Sequence, residues 1–232
     1  MDLVVQGAAQ AVGLLVTFDP DLYAVIWLSL AVSLSATMLS LLIGIPAGMY
    51  LALNGFPGRR VVVSLVNTGM GLPPVVVGLF VTIMLWRNGP LGYFHLLYSP
   101  TAMIIAQCVI AIPVVTGLTM ASIQALNPKL RLQILALGAN RFQTLWLLAV
   151  EARLPLLAAV MAGFGAVISE VGASQMVGGN IMGQTRVLTT ATVMETSKGN
   201  FAMAIALALV LLLIMLGVNA ALTAFQQQQR AH

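Results

Sequence analysis

The ionisable side chains that stand out in this sequence are Glu170 and Arg186, which lie on either side of the glycines Gly178 and Gly179. A carboxylate within or at the end of an apolar segment is costly to bury, and such residues are functional candidates by default. A guanidinium offers a planar fork of hydrogen-bond donors that matches the geometry of oxyanions. The stretch therefore predicts contacts with backbone amides, with anions, or with both.

Residues suited to catalysis or metal binding are scarce. The chain contains two histidines and one cysteine, and we interpret Cys108, which lies in an apolar run, as a small buried hydrophobe. His95 stands between two aromatic residues and two leucines, a pattern typical of an aromatic belt at the membrane interface. The phosphate-binding motif G-x-x-x-x-G-K-S/T does not occur. We therefore expect no enzyme activity, no metal and no cofactor in this chain.

The composition excludes a soluble protein. Hydrophobic residues make up 60% of the chain, charged residues only 7%, and the mean hydropathy is +1.01, whereas soluble domains carry about 25% charged residues. The apolar runs are long and continuous, which favours membrane-spanning helices of ~20 residues over the alternating pattern of a β-barrel. The net charge of +4 is not arranged as a basic stripe, so we expect membrane lipid and not nucleic acid as a partner.

The apolar stretches predict an all-α integral membrane protein with five transmembrane helices, at residues 23–53, 61–86, 101–126, 154–177 and 201–225. Residues 1–21 are expected to be an extracytoplasmic N-terminal segment. Its apolar part, Leu3–Val16, reaches only ~21 Å as a helix, so we expect it to lie in the outer interface. Residues 22–225 are the predicted transmembrane domain, with a polar loop at 127–153, and residues 226–232 are a predicted cytoplasmic tail.

Lysine and arginine residues divide unevenly between the two sets of connections. Cytoplasmic connections are enriched in these residues. The larger set contains Arg59, Arg60, Lys129, Arg131, Arg141, Arg153 and Arg230, and the smaller set contains Arg87, Arg186 and Lys198. This asymmetry places the loop 127–153 and the C-terminus in the cytoplasm and the N-terminus outside.

The polar loop 127–153 combines a short amphipathic helix with a sharp turn. Gly138 permits the turn because it has no Cβ. The apolar residues at helical spacing are Leu130, Ile134 and Leu137 before the turn and Phe142, Leu145 and Trp146 after it. A short helix with one apolar stripe can dock into a groove on a partner protein. The alternative is that the helix lies on the membrane surface.

This loop resembles the cytoplasmic coupling loop of type I ABC importer permeases. In that family a Glu-Ala-Ala triplet is followed by Gly-Ala and later by Leu-Pro. Gly138-Ala139 and Leu154-Pro155 match this pattern, whereas Leu132-Gln133-Ile134 stands at the position of the triplet. The resemblance implies that the residues around Gly138 and Ala139 contact an ATPase.

The resemblance extends over residues 22–225. The runs IGIPAG at 43–48 and LPPVVVGL at 72–79 resemble the first two core helices of the family. Three further stretches resemble the subgroup that imports tungstate and the related oxyanion molybdate: SEVGAS at 169–174, VGGNI at 177–181 and TRVLTTATVMETSKGNF at 185–201.

The resemblance implies a type I ABC importer (MetI-like) permease fold in a prokaryotic inner membrane. It further implies a second copy of the chain, a cytoplasmic ATP-binding cassette ATPase that hydrolyses ATP, and an extracytoplasmic anion-binding protein. Tungstate is the expected substrate, with molybdate or another small anion as alternatives. A stand-alone channel or secondary transporter is a competing function. It would require paired intramembrane charges or a duplicated half, and the sequence contains neither.

The resemblance also implies roles for Glu170, Gly178, Gly179 and Arg186. Arg186, Gly178 and Gly179 mark a candidate anion entrance, since two copies in a dimer would bring positive charge to the pathway. An interfacial anchor is the alternative for Arg186. Glu170 is a poor ligand for an anion, so we interpret it as structural, bonded to backbone amides of the Gly172–Gly179 turn, with a gating role as the alternative.

Overall fold

The computed structural model describes residues 2–228, and within them the chain is built from α-helices without a β-strand. The helices are α1 (Asp2–Val16), α2 (Pro20–Leu53), α3 (Arg59–Met70), α4 (Pro74–Leu85), α5 (Pro100–Gln124), α6 (Pro128–Ala136), α7 (Arg141–Glu151), α8 (Arg153–Ile168), α9 (Gly172–Gly178), α10 (Leu188–Ser197) and α11 (Phe201–Gln228). A short 3₁₀ turn at Gly92–Phe94 lies between α4 and α5. The predicted all-α fold is confirmed.

Three helices of the described residues, α2, α5 and α11, are each long and apolar enough to cross a membrane alone. Helices α2 and α5 pack along each other. A Cβ on Gly48 of α2 would lie 2.6 Å from the carbonyl oxygen of Thr116 on α5, so this close approach depends on a residue without a side chain. Pro46 and Pro113 lie inside these two helices without ending them.

The predicted second span, 61–86, is wrong as a single helix. Helices α3 and α4 meet at an angle of 105°. Each has 12 residues and is about 18 Å long, shorter than the hydrocarbon layer of ~30 Å. The break comes from two consecutive prolines, because a residue that precedes proline is disfavoured in helical conformation. Pro73 accordingly adopts an extended ψ of 123°, and Pro74 begins α4.

The predicted fourth span, 154–177, is also wrong in its length. Helix α8 ends at Ile168, and α9 begins at Gly172 after a break. In that break the Glu170 carboxylate accepts a hydrogen bond from the Ala173 amide at 2.8 Å and so stabilises the first turn of α9. Helix α8 meets α7 at 77°, and if each bent pair counts as one crossing, the described residues contain up to five candidate spans.

The N-terminal segment forms α1, which packs against α11. A Cβ on Gly7 would lie 2.6 Å from the Cβ of Ile205, and Ala11 is buried in the same contact. At 15 residues, or about 22 Å, α1 is short for a span. Its position in the outer interface and the domain limits at residues 21 and 225 stay predictions. Arg230 and the end of the predicted tail lie outside the described residues.

Candidate functional site

Helices α6 and α7 form a hairpin around Gly138. The Gly138 amide donates to the carbonyl oxygen of Leu135 at 3.0 Å, and the Ala139 amide donates to that of Ile134 at 3.4 Å. These two bonds form a Schellman motif, in which the residue after the helix cap is left-handed. Gly138 has a φ of 82°, which glycine adopts without strain. The predicted sharp turn at Gly138 is therefore confirmed.

The second helix of the hairpin begins with a capping box. The Asn140 side chain accepts from the Gln143 amide at 2.9 Å, and the Gln143 side chain accepts from the Asn140 amide at 2.8 Å. These reciprocal bonds satisfy two backbone donors at the start of α7. This cap was not predicted from the sequence, although Asn followed three residues later by Gln is its signature. The path from α6 to α7 is thus determined on both sides of Gly138.

The predicted apolar stripe of α6 does not face outwards as a unit. Ile134 is only 7% exposed and packs with Leu148 of α7 and with Met49 and Ile123 from the ends of α2 and α5. Leu130 is partly buried against the same cluster. Helices of the same chain cover Ile134 and part of Leu130, and the predicted contact of these two residues with an ATPase stays a prediction. Both residues fix the hairpin to the transmembrane core.

Other apolar side chains of the hairpin are open to the surroundings. Leu137 is 88% exposed, Phe142 is 84% exposed and Trp146 is 71% exposed. Ala139 is half-buried behind them. We call Leu137, Phe142 and Trp146 the hairpin surface. On a polar loop, exposed large apolar side chains that lie together are typical of an interaction surface.

Two arginines attach the hairpin side of the molecule to the C-terminal end of α2. Arg131 of α6 donates to the carbonyl oxygen of Leu53 at 2.8 Å, and Arg59 donates to that of Leu51 at 2.8 Å. Basic side chains at a helix C-terminus satisfy its last carbonyls and match its dipole. An open groove of about 460 Å³ lies beside this contact, between α6 and the end of α5.

At the opposite end of α2, Glu170 has the structural role predicted for it. The residue is buried, its carboxylate caps α9, and its carbonyl oxygen accepts from the Thr189 hydroxyl at 3.0 Å. Both bonds tie the α8–α9 break to neighbouring backbone and to α10. The alternative gating role stays a prediction.

The two glycines of the candidate entrance are packed against the start of α5. Gly178 is buried, and a Cβ there would lie 2.9 Å from the Met103 sulfur. Gly179 has a φ of 72° and lies against the Tyr98 ring. The Tyr98 amide donates to the carbonyl oxygen of Val177 at 2.8 Å. The glycines therefore allow tight packing of the turn, and their role at an entrance stays a prediction.

A polar network that the sequence analysis missed holds the connection between α9 and α10. The Thr190 hydroxyl donates to the Asn180 side chain at 3.0 Å, and the Thr185 hydroxyl accepts from the Ile181 amide at 3.0 Å. The Leu188 amide donates to Ser29 of α2 at 2.8 Å. Asn180 has a φ of 52°, which asparagine tolerates better than most residues. The pair Gly178-Gly179, directly before Asn180, was the sequence pattern that could have indicated a turn here.

Arg186 follows this network and is half-buried. One of its terminal nitrogens donates to the Asn180 carbonyl oxygen at a long 3.4 Å, and its buried Nε has no hydrogen-bond partner within residues 2–228. It lines a cleft of about 510 Å³ together with Asp19, Asp21 and Glu195. With three carboxylates and one guanidinium in its lining, the cleft disfavours a ligand that carries only negative charge. The entrance role of Arg186 stays a prediction, and the charges of this cleft do not support it.

Comparisons with known proteins agree with this architecture. Residues 44–231 match the family model for the binding-protein-dependent transport system inner membrane component. The tungstate uptake system permease protein TupB of Peptoclostridium acidaminophilum is 41% identical over 98% of this chain and 100% of its own length. A probable anion ABC transporter permease protein of Haloferax volcanii is 41% identical over 86% of this chain and 88% of its own length.

Solved structures resemble the fold at lower identity. A chain of the MetNI methionine ABC transporter, in inward-facing conformations, has a TM-score of 0.72 over 90% of this chain and 98% of its own, at 18% identity. Identity this low supports the fold alone. The family model, however, covers most of the sequence, and the two relatives span nearly all of it. The chain belongs to the family of binding-protein-dependent transport system inner membrane components.

Proposed function

We propose that this chain is the permease subunit of an ABC importer that carries tungstate. The observation that carries the proposal is 41% identity, over nearly the full length of both chains, to a protein named for tungstate uptake. Molybdate or another small anion is the second candidate, because a relative of equal identity is named only for an anion. The predicted location is the inner membrane of a prokaryote, with the hairpin and the C-terminus in the cytoplasm and the N-terminus outside.

The proposed contact with the cytoplasmic ATPase is the hairpin surface. Its apolar side chains protrude from a turn that is held by a Schellman motif and a capping box. Positively charged Arg141, which precedes Phe142 at the start of α7, is exposed. A surface that is apolar, exposed and locally rigid loses little conformational entropy when a partner binds. These properties support docking over a loose association with the membrane surface.

The proposed path of force runs from this surface into the transmembrane helices. Ile134 packs against the ends of α2 and α5, and Arg131 is bonded to the last turn of α2. A displacement of the hairpin would therefore move the cytoplasmic ends of both helices, because packed helices transmit strain instead of absorbing it. In this proposal the anion pathway is completed by a second copy of the chain, and an extracytoplasmic binding protein delivers the anion to the opposite end.

The proposed function is tested by reconstitution. The chain is co-expressed with its genomic ATPase neighbour, purified, and placed in liposomes with the binding protein encoded beside it. Uptake of tungstate, molybdate and sulfate is then measured with ATP enclosed. Tungstate uptake that needs both partners supports the proposal. Transport by the chain alone would favour a channel or secondary transporter, and uptake of sulfate alone would overturn the substrate assignment.

A further inference from the structure

The cleft beside Arg186 is a concave feature that the proposed function leaves unused. It is bounded by the end of α1, the first turns of α2, α10 and the start of α11, and its volume is about 510 Å³. A volume of this size is typical of a small-molecule site, for which the range is about 300–1,000 Å³.

The wall of the cleft changes character along α2. Asp19 and Asp21 line the cleft at the start of α2 and form its rim, Val25 and Leu28 follow one to two turns further along α2, and Leu207 of α11 also lines the cleft. Seven residues separate Asp21 from Leu28, which is about 10 Å along a helix. The polar layer on each side of a bilayer is about 5–8 Å thick. The cleft therefore spans the step from headgroups to hydrocarbon.

Aromatic side chains place this rim at the membrane interface. Trp27 lines the cleft and is mostly exposed. Phe18 and Tyr23, at the corner between α1 and α2, stack with their ring centroids 5.5 Å apart, and both are exposed. Exposed aromatic side chains at the end of an apolar helix, as Phe18 and Tyr23 are, are the usual mark of the headgroup level.

Charged groups of both signs line the rim, and not all of their polar atoms have a hydrogen-bond partner. Glu195 is paired with Lys198 at 2.9 Å, and one oxygen of Asp19 caps the start of α2 by accepting from the Leu22 amide. Asp21 is exposed, and the buried Nε of Arg186 has no acceptor within residues 2–228. A ligand that fits this rim therefore carries an anionic group for Arg186 and a cationic donor for Asp21.

We propose that the cleft binds a zwitterionic phospholipid with a primary ammonium headgroup, its phosphate on Arg186, its ammonium on Asp21 and Asp19, and an acyl chain along Val25, Leu28 and Leu207. Arginine binds phosphate through a fork of charge-assisted hydrogen bonds. A choline headgroup offers the same charge but no N–H donor to the carboxylates. A glycerol headgroup offers no positive charge, so the carboxylates repel such a lipid. The inference does not depend on which anion the protein transports.

Native mass spectrometry of the detergent-purified full chain, titrated with phosphatidylethanolamine, phosphatidylcholine and phosphatidylglycerol, tests the proposal. We expect the ethanolamine lipid to bind most tightly. Arg186→Gln should weaken binding of both the ethanolamine and the choline lipid about tenfold, the size of a charge-assisted hydrogen bond. Asp21→Asn should weaken binding of the ethanolamine lipid about threefold, as expected for exposed charges. It should weaken the choline lipid less, because choline has no N–H to donate to the carboxylate. Arg186→Lys should retain part of the binding, which guards against a folding defect.

Matched controls lie at other exposed charges of the same chain. Arg87→Gln and Asp2→Asn remove one charge each, both residues are exposed, and neither lines the cleft. These variants should bind all three lipids as the wild type does. Equal affinity for the three lipids, or equal losses in the control variants, would overturn the proposal. A disulfide between two copies carrying Gln184→Cys, formed in high yield in membranes, would also overturn it by assigning the cleft to an interface between copies.

Discussion

Gly138 offers the sharpest test of the hairpin as the coupling element. An added Cβ at Gly138 would meet no atom within 4 Å, although the residue has a φ of 82°. A substitution therefore acts through backbone strain alone and not through a clash. Asparagine tolerates the left-handed region, alanine tolerates it less well, and a β-branched residue is a genuine outlier there. We expect the order Gly, Asn, Ala, Val in coupling activity.

The size of the effect follows from the bonds that hold the turn. The two hydrogen bonds of the Schellman motif contribute about 0.5–1.5 kcal/mol each, or about 1–3 kcal/mol together. The left-handed conformation costs a residue with a Cβ about 1–2 kcal/mol. The two terms are similar for alanine, so the turn should stay populated in part. For valine the strain exceeds the bonds, and the turn should open in most molecules.

The assay is ATPase activity of the reconstituted complex, stimulated by the loaded binding protein. We expect Gly138→Asn to be close to the wild type, Gly138→Ala to be reduced several-fold, and Gly138→Val to stay near the unstimulated rate. Gly58→Val is the matched control, because Gly58 has a φ of 83°, no atom within 4 Å of an added Cβ, and a place outside the hairpin. Wild-type stimulation in Gly138→Val, or equal loss in Gly58→Val, would refute the reasoning.

Three further predictions test orientation, the entrance and packing. Single cysteines are placed at Asn140 or Asn88 in a cysteine-free variant, and whole cells are treated with an impermeant thiol reagent. The cysteine at position 88 should be labelled and the cysteine at position 140 should not; the reverse pattern would mean the opposite topology. If Arg186 lies at the anion entrance, Arg186→Gln should slow anion uptake without changing the amount of protein in the membrane. An unchanged uptake rate would contradict the entrance role. Gly48→Leu should lower the melting temperature of the protein, because overpacking costs about 1–3 kcal/mol. Gly165→Leu should leave the melting temperature unchanged, because no atom lies within 4 Å of a Cβ added at Gly165.

The helical type of the elements and the places of the apolar stretches followed from the sequence, but the number of helices and the breaks between them did not. Pro46 and the pair Pro73-Pro74 look alike as glycine-flanked prolines in apolar runs. A single proline removes one hydrogen bond, and α2 continues through it. In a pair, the first proline is itself pushed out of the helical region by the second, which explains the 105° bend between α3 and α4. Counting consecutive prolines would have separated the two cases.

The candidate site was predictable in its turn and not in its faces. Gly138 was assigned from glycine's conformational freedom, a local property, and the structure agrees. The orientation of Ile134 depends on which helices of the chain lie beneath α6. A hydrophobic stripe reports that a face is covered, but it is the same whether the cover is the chain's own core or a partner. Distant contacts with Met49 and Ile123 decide this case, and no local pattern contains them.

The division of the hairpin into an inner and an outer apolar face bears on how it could transmit force. Burying a large apolar side chain stabilises a protein by about 1.5–3 kcal/mol, so leaving Leu137, Phe142 and Trp146 exposed forgoes several kcal/mol in the isolated chain. The polar residues around them, Asn140 and Arg141, are exposed as well and disfavour burial of this tip in hydrocarbon. A cavity on a partner protein could bury the apolar side chains and leave the polar residues at its hydrated edge. With Ile134 fixed in the core behind it, such a contact would be stiff on the side of the permease, which is the property that coupling to ATP hydrolysis requires.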